Sequence, residues 1–77
     1  MQQNIQNVDS LVNGDIVVSI EGVGEQKVCD LTNVPVRRVI ATVGAVLTGE
    51  PFEFSPTSGW EAGYRASDST IFVRRCR

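Results

Sequence analysis

The stretch Asp15-Ile16-Val17-Val18-Ser19-Ile20-Glu21-Gly22-Val23-Gly24-Glu25 decides how the chain is read. Ile16, Val18 and Ile20 alternate with Val17, Ser19 and Glu21, and β-branched residues dominate, which marks a strand with one apolar face. The two glycines that follow can take the positive φ of a tight hairpin. A return strand over residues 26–31 completes the pair. Upstream, Asn13-Gly14-Asp15 reads as a turn.

Working outward, Thr32-Asn33-Val34-Pro35 reads as a helix start, with Thr32 or Asn33 as cap and Pro35 in the first turn. Val36, Val39, Ile40, Val43, Val46 and Leu47 then repeat at helical spacing, and Gly49 and Pro51 end the pattern. This predicts a helix of about 13 residues. Its β-branched residues and Gly44 are poor helix formers, so tertiary packing must hold it. Phe52-Glu53-Phe54 alternates as a short strand, residues 55–59 form a loop, residues 60–66 alternate again, residues 66–69 turn, and residues 70–74 make the last strand.

The expected fold is therefore α+β: an antiparallel sheet of about five strands, ordered β-β-α-β-β-β along the chain, with one helix packed on one face. Residues 1–13, rich in Gln and Asn, are expected to form a weakly ordered segment or a short helical turn using Ile5, Val8, Leu11 and Val12. Residues 14–77 are expected to form a single domain.

With 77 residues the chain has room for one core. No apolar run approaches the roughly 20 residues of a membrane span. The N-terminus lacks the basic start and apolar stretch of a secretory signal, so the expected compartment is the cytoplasm. Reduced thiols prevail there, and Cys29 is expected to be buried in a strand while Cys76 lies loose near the end.

Histidine is absent. That removes the commonest general base and metal ligand. The carboxylates are scattered, and no CxxC or dense acidic loop is present, so no catalytic residue, cofactor or metal ion is expected. Gly22-Val23-Gly24 is not a dinucleotide fingerprint, because Lys27 stands where the third glycine would be and a strand follows.

Charge is distributed unevenly. Residues 1–64 carry eight acids against Lys27, Arg37 and Arg38, while residues 65–77 carry Arg65, Arg74, Arg75 and Arg77 against Asp68. An acidic body suits a small non-catalytic protein-binding module. It would be an inhibitor or adaptor, of a kind common among phage and mobile-element accessory proteins, that covers a basic site on a larger partner. A nucleic-acid-binding protein is one such partner. The candidate contact residues are Glu21, Glu25, Asp30, Glu50, Glu53 and Glu61, joined by Tyr64 and Arg65, whose types favour interfaces. Arg37 and Arg38 at the helix start, with Arg74, Arg75 and Arg77, are candidate anion-binding groups. Trp60 suits either core or interface.

Two alternatives stand beside this reading. One is a single-stranded nucleic-acid-binding domain that stacks bases on Phe52, Phe54, Tyr64 and Phe72 with the C-terminal arginines on phosphate. The net charge of -2 disfavours it. The other is a structural subunit, monomeric or homodimeric, that associates through an exposed edge strand over residues 70–74.

Overall fold

A computed structural model describes residues 3–4, 9–54 and 59–76. The elements run β1 (Gln3–Asn4), β2 (Leu11–Ile20), β3 (Gly24–Pro35), α1 (Val36–Thr48), β4 (Trp60–Arg65) and β5 (Thr70–Arg75). The sheet order is β1-β4-β5-β2-β3. Four strands are of substantial length, and β1 adds a two-residue pairing to the outer edge of β4. The α+β class, the first hairpin and the helix are as expected. The sheet is mixed, however, because β2 and β5 run parallel at its centre.

Ile16, Val18 and Ile20 point to the helix side, where they form the core with Val36, Val39, Ile40, Val43, Phe54, Ala62, Ile71 and Val73. The helix spans 13 residues and ends at Gly49, whose left-handed φ of 76° returns its amide to the Ala45 carbonyl. Neither Thr32 nor Asn33 caps it. Both lie in β3, Pro35 occupies the cap position, and the Val36 amide donates to the Ser10 carbonyl at 2.9 Å. A strand that runs straight into a helix leaves its leading amide to a neighbouring strand end, which replaces the side-chain cap.

The segment expected as a turn, Asn13-Gly14-Asp15, lies within β2. Here β3 carries one extra residue at each of two bulges, opposite Asn13 and opposite Asp15. Asn33 and Asp30 take left-handed φ values of 49° and 59°, which Asn and Asp tolerate best among residues with a Cβ. The facing side chains complete both bulges. Asn13 Oδ1 accepts from the Asn33 amide at 2.9 Å, and Asp15 Oδ1 accepts from the Asp30 amide at 3.0 Å. Leu11 and Val12, expected in a helical turn, are strand residues; Ile5 and Val8 lie outside the described residues.

Phe52-Glu53-Phe54 is not a strand. The segment covers the half of the sheet that α1 leaves open, because α1 packs on β2 and β3. Phe54 is 3% exposed in the core, and Phe52 sits against Trp60 with ring centroids 5.4 Å apart. Phe52 also explains the mid-helix glycine: a Cβ at Gly44 would run into its ring. In most helices Gly→Ala stabilises by about 0.5–1 kcal/mol. Here Gly44→Ala should instead destabilise by about 1–3 kcal/mol through overpacking, measured by urea unfolding. Because the Phe52 Cβ also stands in the way, it takes a Phe52→Gly background for the same change to recover the usual stabilising sign. Stabilisation by Gly44→Ala in the wild-type chain would contradict this packing.

Candidate functional site

Among the described residues no helix packs on the sheet face away from α1, and strand alternation with the observed register determines what that face carries. One row runs Arg65, Thr70, Val17, Lys27, and the next Gly63, Phe72, Ser19, Glu25; Glu61 faces Arg74 beyond them. Phe72 is half-buried, and the Arg65 guanidinium lies over its ring at 4.4 Å. Arg65 is held in turn by Asp68, with Nε and Nη2 each 3.0 Å from a carboxylate oxygen. This two-point clasp fixes a planar guanidinium over an aromatic face.

At one end of the sheet Glu21, Glu61, Arg74 and Arg75 line a cleft of about 440 Å³. Arg74 and Arg75 are consecutive in a strand, so they point to opposite faces. Arg74 pairs with Glu61 at 3.1 Å on the open face. Arg75 turns to the helix side, where its guanidinium stacks 4.4 Å over the Trp60 ring, while its amide donates to Glu21 Oε1 at 3.2 Å. Trp60 is thereby half-buried between Phe52 and Arg75, joining core and surface.

The residues singled out from the sequence are thus sorted differently in space. Glu21 and Glu61, expected among partner-binding acids, meet Arg74 and Arg75, expected among anion-binding cations, and the two sets offset each other in one cleft. Glu25 and Arg65 share the open face with Glu61 and Arg74. Asp30 sits at a bulge of β3, and Glu50 and Glu53 lie in the segment after α1, so the acids do not form one patch. Tyr64 is half-buried toward the core side. Arg37 pairs with Asp9 at 2.9 Å, and the leading helix amide is already bonded, so the helix start is not a bare anion site; Arg38 is exposed beside it. Arg77 lies outside the described residues.

Three further corrections follow. Phe52 and Phe54 belong to the core side with Tyr64, and Phe72 alone of the four expected stacking rings is on the open face. Residues 70–74 form a central strand, flanked by β4 and β2, and not an edge. Cys29 is exposed, because β3 is the edge strand; Cys76 is exposed as well, and both thiols are free. Among the described residues no group of three metal-ligating side chains occurs, and no helix is long and apolar enough to cross a membrane. Val17 and Lys27 complete the open face. The alternation of residues 15–21 already placed Val17 there, while Lys27 needed the hairpin register.

Chemically, this face offers fixed guanidiniums, one aromatic surface and balancing carboxylates. Comparison of the chain with family models, curated proteins and solved structures returned no match.

The Arg65 clasp has a measurable consequence. Its hydrogen bond, first among the causes, holds the Asp68 carboxyl below the ordinary value of 3.8. A depressed folded-state value contributes stability above the unfolded value that is lost as pH falls through the folded one. The contribution of this exposed pair is therefore present at neutral pH and disappears only below about pH 3.8. Carboxyl NMR titration should show the Asp68 midpoint rising in Arg65→Ala; an unchanged midpoint would contradict the clasp.

Proposed function

We propose that the protein is a small non-catalytic binding module, of the inhibitor or adaptor type, that docks on a protein partner through the sheet face away from α1. The observation that carries this reading is Phe72 at the centre of that face under a guanidinium already held in place by Asp68. Aromatic and arginine side chains dominate interface energetics, and fixing them before contact lowers the ordering cost of binding. Glu25 and Lys27 on one flank and the Glu61–Arg74 pair on the other provide a polar rim.

The partner expected for this surface is basic around its contact site. The hairpin of β2 and β3 carries Asp15, Glu21, Glu25 and Asp30 against Lys27, so encounter is steered toward positive charge. A cytoplasmic setting accords with two exposed free thiols. The nucleic-acid alternative has less support, because a single ring on the open face is a poor stacking platform.

The test is capture from lysate, with and without nuclease treatment, using wild-type protein and two variants. Arg65→Ala should abolish recovery of a stoichiometric protein partner, and Thr42→Glu on the exposed side of α1 should leave it intact. Recovery of nucleic acid instead, or equal capture by Arg65→Ala, would overturn the reading.

A further inference from the structure

β3 is an edge strand whose outer side is unpaired among the described residues. Its two bulges, with left-handed Asp30 and Asn33, bend the strand beyond Cys29 and leave residues 24–29 as a straight edge. Six residues is an ordinary strand length. Natural edges of this kind are either blocked by charge or used for pairing.

The charges on this edge decide between the two. Glu25 and Lys27 share the open face, two residues apart, facing Ser19 and Val17 on β2. We infer that the protein forms a homodimer in which β3 pairs antiparallel with β3 of a second copy about a twofold axis at Gln26. In that register Glu25 of each copy lies opposite Lys27 of the other, giving two cross-strand ion pairs. Moving the axis to Lys27 would set lysine against lysine, and moving it to Glu25 would set glutamate against glutamate. The register at Gln26 alone converts an edge-blocking lysine into a matching one.

An independent feature on the other face agrees. A twofold axis that continues an antiparallel sheet stands perpendicular to it, so both helices fall on the same side. Val46 is 62% exposed on α1, one of two large apolar residues exposed among the described residues. At 100° per residue it lies about 200° around the helix from Gly44. Gly44 faces Phe52 and the β4 side, so Val46 occupies the flank above β3. The neighbouring Leu47 lies beside Gly24, at the start of the straight edge, where a Cβ on the glycine would meet its methyl groups. Pairing at Gln26 brings the Val46 flanks of the two copies toward each other and covers an apolar side chain that the single chain leaves in water.

Sedimentation of the wild-type protein should show a concentration-dependent monomer–dimer equilibrium. Glu25→Lys and Lys27→Glu should each weaken it about tenfold or more, since each turns two attractive contacts into two repulsive ones, and the double exchange should restore it. In a Cys29→Ser/Cys76→Ser background, Gln26→Cys should oxidise to a disulfide-linked dimer, as facing residues at the axis come close enough to bridge. Ser67→Cys, in the distant β4–β5 turn, should not. A wild-type protein that stays monomeric throughout, single variants that dimerise as well as wild type, or a double exchange that fails to restore dimerisation would each overturn the inference.

Discussion

The parallel pairing of β2 with β5 is the constraint on which the rest of the fold depends. The Val17 amide donates to the Ser69 carbonyl at 2.9 Å and the Glu21 amide to the Val73 carbonyl at 2.8 Å, so the last strand is locked beside the first long one. Parallel neighbours cannot be joined by a tight turn and need a crossover. The chain between them must therefore leave the sheet, cross one face as α1 and return through β4. Burial follows from this placement: Ile71, Val73, Val18 and Ile20 are each at most 2% exposed because they lie in central strands beneath the crossover. The same placement leaves β3 at the margin, where Cys29, Glu25 and Lys27 face solvent.

A helix 13 residues long cannot cover a sheet of this width. α1 covers β2 and β3, and Phe52 and Phe54 cover the remainder. Gly44 is the joint between these two covers, trading helix propensity for the close approach of an aromatic ring. The stability of α1 therefore comes from its contacts, consistent with a sequence dominated by poor helix formers. The segment over β4 then fixes Trp60, and Trp60 supports Arg75, so the core extends without a break to the charged end of the sheet.

Much of this was legible in the residues. The alternation of Ile16, Val18 and Ile20, the helical spacing from Val36 to Leu47 and the Gly49 stop each report a local period or a local backbone requirement. What misled was local chemistry recruited for another purpose. Asn13-Gly14-Asp15 has turn composition, but its polar side chains bridge to bulges 15 and 20 residues away. Phe52-Glu53-Phe54 has strand alternation, yet both rings are taken up by nonlocal contacts on the helix side. Strand order was not legible, because a parallel partner leaves no mark within either strand. The candidate site suffered accordingly: charges that look like separate acidic and basic sets in sequence meet as compensating neighbours in one cleft.

The candidate binding face inherits this geometry, since it lies opposite the face that the crossover occupies. The most direct test is native-state hydrogen exchange at the Val17 and Glu21 amides. If the parallel pair holds the fold together, both should exchange only through global unfolding, with the free energy obtained from denaturation. Exchange at either amide through a smaller opening, while α1 amides such as that of Ile40 stay protected, would contradict the account.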